Sequence, residues 1–499
     1  MTTTTPHITD YWSNAPSALP LSVTGRPFTK LGRFYLLALG VALLGYALGG
    51  RGFAYWGVGP IFVGEITLVI GLCAMIQSRR SMRVLMTSEF LPLILFMIWG
   101  LIRTVPYFGQ WGIAAARDAV VWGYGLFALS VAAVLISVPE RMPLLLRYYA
   151  KFTLIFLLME PVLWVAQRAL GGQFPDFPLT GQPMIEIKGG DTCVHLAGIF
   201  CYLVCLGRSV NPWVGPLLIP LNLGMNIHGR AGMVSFVLGV VLAFVLRPFH
   251  PRMMRIFAVI GLGLFLLWAT DLKIGDVGGG REISFDYLTR AINSIINSNS
   301  ADEDLAGTKE WRIRWWTSII DYTVYGDYFW TGKGFGINLA DDDGFQIDGN
   351  LRSPHNGHLT ILARSGVPGM TLWVVLHLTF AISMVRMYLR ARRHKDWKWA
   401  GLFLCLLAYW GALMCNASFD VFLEGPMGGI WLWSIYGVGI ASMYVFKRYP
   451  YVLYIEPLNE KSHRKRKRAR RGAPTPRAGV RGPGVMPQPA SAYRSNDRF

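Results

Sequence analysis

Apolar residues fall into twelve runs along the chain, and polar segments separate them. A helix of about 17–25 apolar residues crosses the hydrocarbon core of a bilayer. The pattern therefore predicts an all-α integral membrane protein with about twelve transmembrane helices, nine before residue 272 and three after residue 354. The runs cover residues 34–50, 58–77, 86–106, 119–138, 150–169, 192–207, 213–226, 231–246, 255–271, 358–385, 399–415 and 427–446.

Composition agrees with a membrane protein. Hydrophobic residues make up 53% of the 499 residues and charged residues only 15%, a balance too apolar for a soluble protein of this length. The six cysteines fall mostly within apolar runs and lack the spacing of metal sites, so we expect neither disulfides nor a bound metal.

Basic residues set the predicted orientation in the membrane. Lysine and arginine cluster in residues 26–33 and in the short loops 79–83, 247–255 and 386–398. Short cytoplasmic loops carry an excess of these residues. We therefore expect both termini to be cytoplasmic, including an N-terminal segment 1–33 without a cleavable signal peptide.

Much of the net charge of +19 lies in residues 447–499, where KSHRKRKRARR at 461–471 opens a segment rich in Pro, Gly and Arg. This composition predicts a basic, disordered cytoplasmic tail that is attracted to anionic lipid headgroups. Basic runs also occur in nucleic-acid-binding proteins, but beside twelve apolar runs we expect no nucleic acid partner.

The long polar segment 272–354 is predicted to be an extracytoplasmic loop, and it holds 13 of the 29 acidic residues. Loops of this length are usually functional. Residues 309–330, KEWRIRWWTSIIDYTVYGDYFW, predict an interfacial helix whose apolar face turns toward lipid or toward the bundle. Its tryptophans could be membrane anchors or a platform for sugar. TGKGFG at 331–336 lacks the surroundings of a nucleotide loop and predicts a turn.

Two histidines follow this loop. Ser353 and Pro354 predict a helix start, with serine as N-cap and proline at the first helical position. His355 would then lie in the first turn, where the helix dipole favours neutral imidazole that can accept a proton from a hydroxyl. His358 is the alternative base or a helper, and either histidine could instead be solvated or structural.

Arginines provide a second group of candidates. Arg230, within NIHGRAGMVS, and Arg312, on the predicted interfacial helix, fall on the outer side. Planar guanidinium groups bind diphosphate oxygens in bidentate fashion. Arg314 could stand in for Arg312, and an interfacial arginine can also simply extend toward water. Arg117 and Asp118 look like a structural ion pair.

The histidine segment resembles the O-antigen ligase and polymerase family, which are polytopic glycosyltransferases of the bacterial envelope. The family pattern is a histidine followed by Asn, Ser or Gln, then nine residues, Gly, two residues, and Gly, Thr or Tyr. His355, Asn356, Gly366 and Gly369 fit this pattern without a gap.

Two further segments carry the resemblance. HGRAG around Arg230 is similar to the family's Ser-Arg-Gly-type segment, with Gly229 in place of the serine. Residues 312–336 are similar to its Arg-xxx-Trp and Gly-x-Gly-Phe-Gly segment. The resemblance extends over nearly all of residues 34–446.

The resemblance implies an inverting, metal-independent glycosyltransferase of the C type that needs no cofactor. Its donor would be a glycan on polyprenyl (undecaprenyl) diphosphate, and its acceptor a glycan or lipid A-core, in lipopolysaccharide O-antigen or exopolysaccharide biosynthesis. The enzyme would span the inner membrane many times, with membrane lipids and other assembly proteins as partners and its active site facing the periplasm. Arg230 and Arg312 would bind the diphosphate, and His355 would activate the acceptor. Further candidates for substrate binding are Arg314, His358 and Asn356.

Several functions stay open at this point. A repeat-unit polymerase is slightly favoured over a ligase that transfers O-antigen to lipid A-core, and protein O-glycosylation uses the same chemistry. A twelve-helix secondary transporter is the alternative of another class, because Glu65 and Glu160 lie inside apolar runs. The lack of similarity between the two halves of the chain argues against transport. A non-catalytic assembly scaffold would not need the histidine and arginine segments.

Overall fold

The structure, a computed structural model, describes residues 29–78, 89–170, 173–247, 249–271, 284–286, 288–290, 303–346, 349 and 351–455. These residues belong to one compact unit. Most of the predicted N-terminal segment 1–33, most of the basic tail 447–499 and the first part of the loop 272–354 lie outside the described residues.

The described part of the chain is almost entirely helical. Helices α1 to α16 comprise, in chain order, Lys30–Ala54, Val63–Gln77, Leu91–Thr104, Phe108–Trp111, Ile113–Gly123, Gly125–Ser137, Arg141–Ala169, Gly189–Cys205, Val214–Met225, Arg230–Leu246, Pro251–Thr270, Glu303–Val324, Leu339–Asp342, Gly357–Arg393, Trp397–Ala417 and Pro426–Arg448. Strands β1 (Gly57–Val58) and β2 (Ile61–Phe62) form an antiparallel hairpin between α1 and α2. Short 3₁₀ turns occur at Val105–Tyr107, Gly207–Ser209, Phe422–Glu424 and Pro450–Tyr454.

Each of the twelve predicted apolar runs contains a helix, which confirms an all-α membrane protein. Seven helices of the described chain are long and apolar enough to span a bilayer, and an eighth span results if α5 and α6, bent by 43°, are taken together. The remaining four runs form shorter apolar helices, α2, α8, α9 and α10. Twelve crossings therefore remain a prediction.

The centre of the bundle is built from helices near the C-terminus. In α15 and α16, 83% and 89% of the apolar stretch is buried inside the protein, whereas only 11% of that of α11 is. Small residues allow the central helices to approach closely: a Cβ on Gly437 of α16 would come within 2.5 Å of the Ala128 carbonyl oxygen of α6. The central helices thus form the interior of the bundle, and most of α11 is exposed at its surface.

A helix is found where the interfacial helix was predicted, but its limits differ. We expected residues 309–330, and α12 extends from Glu303 to Val324. The chain leaves the helix before Gly326, where the backbone N–H of Tyr328 turns back to bond the Tyr322 carbonyl at 3.1 Å. Because the aromatic run continues past this turn, its composition alone did not indicate where the helix ends.

Candidate functional site

The start of α14 differs from the prediction. We expected Ser353 as N-cap, but the N-cap is Asn356, whose side chain accepts hydrogen bonds from the backbone N–H groups of His358 and Leu359 at 3.0 and 3.1 Å. The hydroxyl of buried Ser353 instead donates to the carboxyl of Glu424, whose pKa is raised above its ordinary value by desolvation. An amide oxygen that reaches two free N–H groups is the stronger cap. Placing His355 in the first turn was therefore wrong, because it precedes the helix.

His355 adopts an unusual backbone conformation just before this cap. Its φ of 52° lies in the left-handed region, which non-glycine residues seldom occupy. Its imidazole is 30% exposed, and Nδ1 lies 3.6 Å from Oδ1 of Asp420. The ring edge also approaches Trp311 of α12, with centroids 6.4 Å apart. His355 is therefore held between α12 and the loop that follows α15.

Asp420 was not identified from the sequence. Burial raises the pKa of this carboxyl, but the imidazole of His355, the ammonium of Lys188 and the backbone N–H of Val421 outweigh burial and hold its pKa below the ordinary value. The carboxylate is therefore ionised at neutral pH. At 3.6 Å it is beyond hydrogen-bond distance, yet it faces Nδ1 and favours the tautomer with a proton on that nitrogen. Nε2 is then the basic nitrogen.

His358 occupies the first turn that we had assigned to His355. Its Nδ1 accepts a hydrogen bond from the Trp373 indole N–H at 3.0 Å, and its Nε2 lies 3.1 Å from the Met414 carbonyl oxygen. Since Nδ1 accepts, Nε2 carries the proton and donates to that carbonyl. Both nitrogens are engaged, so His358 links α14 to α15 and cannot take a proton from substrate.

Arg230 and Arg312 lie close enough for their charges to interact. Burial lowers the pKa of Arg312, the carboxylate of Asp420 opposes this effect, and the positive charge of Arg230 adds to it. Nη1 of Arg312 donates to the Phe419 carbonyl oxygen at 3.2 Å, beside Asp420. Arg314, two residues further along α12, is exposed and lies on a different side of the helix. Of the two alternatives on α12, the structure places Arg312 beside the histidine.

Two glycines fix the position of Arg230. A Cβ on Gly229 would come within 2.5 Å of the backbone of Gly189 and Gly190, and one on Gly232 within 2.1 Å of the Gly190 carbonyl oxygen. The start of α10, where Arg230 lies, is thus pressed against the start of α8. This contact explains why this chain has glycine at position 229, where a side chain does not fit.

The contact also places Lys188 near the site, as the N-cap of α8. The segment before it is tied to the end of α1: the backbone N–H of Glu186 bonds the Gly49 carbonyl at 3.0 Å, and the Trp56 indole bonds the Met184 carbonyl at 3.2 Å. Lys188 acts on the charge of Asp420 and also on that of Asp191 in α8. Sequence reasoning missed Lys188 because it is an isolated lysine before an apolar run.

The glycine turn at 331–336 is confirmed, and it docks at a break in α14. Gly366 has φ 69° and ψ −174°, which interrupts the helix. The backbone N–H of Lys333 bonds the Ala363 carbonyl at 2.7 Å, and that of Val367 bonds the Phe329 carbonyl at 2.8 Å. The turn thereby satisfies groups that the break leaves free. Nine residues of helix separate the cap at Asn356 from this break.

Asp118 has a different partner from the one we expected. Its carboxylate lies 2.9 Å from Nη1 of buried Arg364 and 3.0 Å from Nη2 of Arg352, and it accepts the Gly336 backbone N–H at 2.9 Å. The predicted pair with Arg117 is wrong, because Asp118 pairs with Arg352 and Arg364 while Arg117 is exposed. Asp118 is structural, as predicted, but it holds the glycine turn and the segment before His355.

The tryptophans of α12 face the protein. Trp315 is fully buried, donates to Asp343 Oδ2 at 2.6 Å and stacks on Phe345. Trp316 donates to the Pro354 carbonyl oxygen at 2.8 Å, directly before His355. Of the two orientations considered for the apolar face, the one toward the bundle is found. Trp315 is thus part of the core, and Trp316 is tied to the segment directly before His355.

The arrangement suits an anionic substrate with a reacting hydroxyl. Arg230, Arg312 and Lys188 supply positive charge, and His355 supplies a basic nitrogen oriented by Asp420. Among the described residues, no group of three or more His, Cys, Asp or Glu side chains could hold a metal ion.

Part of the chain is similar to a known protein family. Residues 215–374 match the family model described as O-antigen ligase. The match extends from α9 into α14 and includes Arg230, Arg312 and His355, while Lys188 and Asp420 lie on either side of it. No curated protein matches the chain.

Proposed function

We propose that the chain acts as a member of the O-antigen ligase family, whose model matches residues 215–374, and that it transfers or polymerises glycan from a polyprenyl diphosphate-linked donor. The acceptor is a hydroxyl group at the outer face of the cytoplasmic membrane. The observation that carries this proposal is the convergence of Arg230, Arg312 and the His355–Asp420 pair.

The proposed reaction is a single displacement. Nε2 of His355 takes the proton of the acceptor hydroxyl while the acceptor oxygen attacks the anomeric carbon of the donor. The bond between that carbon and the diphosphate oxygen breaks, and the diphosphate leaves with the electron pair. Attack opposite the leaving group inverts the anomeric configuration. Asp420 positions the imidazole and stabilises the imidazolium that forms.

The two arginines stabilise the departing diphosphate. Like charges held close together repel, so Arg230 and Arg312 gain most when an anion lies between them. The Nε–H of Arg312 is a buried donor with no partner among the described residues, and such donors usually find one. Because the leaving group departs as a bound anion, no general acid is required.

Replacing either arginine by lysine tests diphosphate binding. Arg230→Lys and Arg312→Lys keep the charge but lose the planar fork. A hydrogen bond to a charged group contributes about 1.5–3 kcal/mol, so each variant should lose roughly tenfold to a hundredfold in transfer rate with a purified polyprenyl diphosphate-linked donor. Arg314→Lys is the matched control and should keep wild-type activity. Unchanged rates in both site variants at normal protein level contradict the assignment.

The same donor chemistry serves several acceptors of the transferred glycan. We favour a polymerase-like role in O-antigen or exopolysaccharide biosynthesis over ligation to lipid A-core or protein O-glycosylation, which share the donor. Deleting the gene distinguishes these roles. Loss of polymer from lipid A-core indicates ligation, whereas shortened or absent secreted polysaccharide indicates polymerisation.

A further inference from the structure

A cavity of about 210 Å³ lies at the end of the bundle opposite the candidate site. It opens between the ends of α10 and α14 and the start of α15. α10 begins at Arg230 and ends next to Arg247, and α14 begins beside His355 and ends after Arg392. The full lengths of these helices therefore separate the cavity from the proposed chemistry.

Two arginines line the cavity. Nη1 of Arg247 donates to the Cys205 carbonyl oxygen at the end of α8, at 3.1 Å, and Nη1 of Arg392 donates to the Tyr388 hydroxyl at 3.4 Å. A guanidinium group carries five N–H donors, so each retains donors for a ligand. Within the described ranges, neither arginine forms an ion pair with a carboxylate.

The rest of the lining combines a fixed polar wall with an apolar one. The Tyr388 hydroxyl donates to the Leu246 carbonyl oxygen, which ties α14 to α10 and satisfies the end of α10. Leu404 lines the apolar side, and Trp397, 52% exposed, lies beside it. Tryptophan in this position is typical of the boundary between headgroups and acyl chains.

The surrounding surface is strongly basic. A second cavity of about 490 Å³ follows the last turns of α14, and Arg386, Arg390 and Arg393 line it. Neither lining contains an acidic side chain of the described chain. Basic pockets between transmembrane helices on the cytoplasmic side attract anionic lipid headgroups.

We propose that the first cavity binds the phosphodiester headgroup of an anionic phospholipid. Arg247 and Arg392 hold the phosphate oxygens, and an acyl chain lies along Leu404 and Trp397. The volume exceeds that needed for one water, about 10–15 Å³, more than tenfold, which leaves room for a phosphodiester. A free phosphate ion would use the arginines but not the apolar wall. The bound lipid would tie the ends of the same helices that carry Arg230 and follow His355.

Thermal unfolding of the purified full chain in non-ionic detergent tests this site. Short-chain phosphatidylglycerol should raise the unfolding midpoint of the wild-type protein by several degrees. Phosphatidylcholine of the same chain length and inorganic phosphate should not. If inorganic phosphate alone gives the same rise, the cavity is an ion site and the lipid assignment is wrong.

Variants locate the effect. Arg247→Gln with Arg392→Gln should abolish the response to phosphatidylglycerol. Arg147→Gln with Arg255→Gln removes the same charge from exposed positions and should respond like the wild type. An equal response in both double variants overturns the proposal, because the lipid would then act through net charge alone.

A second measurement needs no substitution and so holds even if the double variant does not fold. Phosphatidylglycerol with a photoreactive group near its headgroup is bound to wild-type protein and cross-linked. Labelling concentrated on the peptides that carry Arg247 or Trp397 supports the site. Labelling spread evenly over the lipid-facing helices, including α11, contradicts it.

Discussion

At the scale of single residues, one helix cap separates the roles of two histidines. Asn356 caps α14, so His358 falls inside the helix, and hydrogen bonds to Trp373 and Met414 engage both of its ring nitrogens. His355 falls outside, in a left-handed conformation with its ring partly exposed. A proton acceptor must be reachable by substrate and must have a free lone pair. Only His355 of the two meets both conditions.

Matched asparagine variants test this assignment. Asparagine tolerates the left-handed conformation at position 355, so His355→Asn should fold normally but lose about 10²–10⁴-fold in transfer rate, the usual contribution of a general base. His358→Asn should retain catalysis per folded molecule but lose about 1–3 kcal/mol of stability, because Trp373 or Met414 loses its partner. Transfer rate and thermal unfolding are measured on the same preparations. An active His355→Asn protein would refute the catalytic role.

The sequence could identify some residues of the site and not others. Arg230, Arg312 and His355 each sit in a local motif with recognisable spacing. Asp420 and Lys188 have no such signal, because the folding of α8 and α15 against the same end of the bundle brings them to the site. The helix start was misplaced for a related reason: Ser353 is a good cap by type, but its hydroxyl donates to the carboxyl of Glu424 instead.

At the scale of elements, the break in α14 at Gly366 is the feature on which the site depends. Its φ and ψ, 69° and −174°, lie in a region essentially restricted to glycine. A Cβ there would also come within 2.5 Å of the Phe329 carbonyl oxygen, which accepts the N–H of Val367. The break thus allows the chain after α12 to pack against α14, and α12 carries Arg312.

Substitution of this glycine should therefore weaken the fold. We expect Gly366→Ala to lose at least about 1–3 kcal/mol of stability from backbone strain, together with most transfer activity. Gly40→Ala in α1 is the matched control: no atom lies within 4 Å of the added methyl, and alanine in a helix is favoured by up to about 1 kcal/mol. Unfolding midpoints in detergent should separate the two variants. Equal midpoints would show that the break tolerates a side chain.

Substitution of Asp118 tests whether its ion pairs hold the glycine turn in place. It neutralises buried Arg364, and removing one partner of a buried pair costs about 3–5 kcal/mol. Asp118→Asn should accordingly lower the unfolding midpoint strongly, whereas Arg117→Gln, at an exposed position, should not. If Arg117→Gln lowered the midpoint as much as Asp118→Asn, the sequence-based pairing of Arg117 with Asp118 would regain support.

Helices were easier to predict than their ends. Each of the twelve apolar runs contains a helix, because burial in protein or lipid favours the same apolar composition. The points at which the shorter helices α8 and α10 begin were not visible. Close contacts of Gly229 and Gly232 with Gly189 and Gly190 set these starts, and the periodicity of apolar residues does not indicate such contacts.

At the scale of the whole molecule, the two ends of the bundle differ in charge and in chemistry. One end carries Arg230, Arg312 and His355 together with the acidic groups of the loop. The other carries the arginines at the end of α14 and the cavity near Arg247. The excess of basic residues at the second end predicts that it faces the cytoplasm.

Cysteine labelling in intact cells tests this orientation. Tyr325, 81% exposed, marks the end with the candidate site, and exposed Arg393 marks the other end. With the partly exposed native cysteines replaced by serine, a membrane-impermeant maleimide should label Tyr325→Cys and not Arg393→Cys. Both should react after the membrane is permeabilised, which shows that each thiol is accessible in principle.

The orientation also tests the proposed reaction. A donor carried on polyprenyl diphosphate and exported across the membrane is available only at the outer face. His355 must therefore lie on the same side of the membrane as Tyr325 and the added maleimide. If Arg393→Cys were labelled in intact cells and Tyr325→Cys were not, the site would face the cytoplasm, where an exported donor is absent. The proposed reaction would then fail, although the helix packing and the role of Asn356 as a cap would stand.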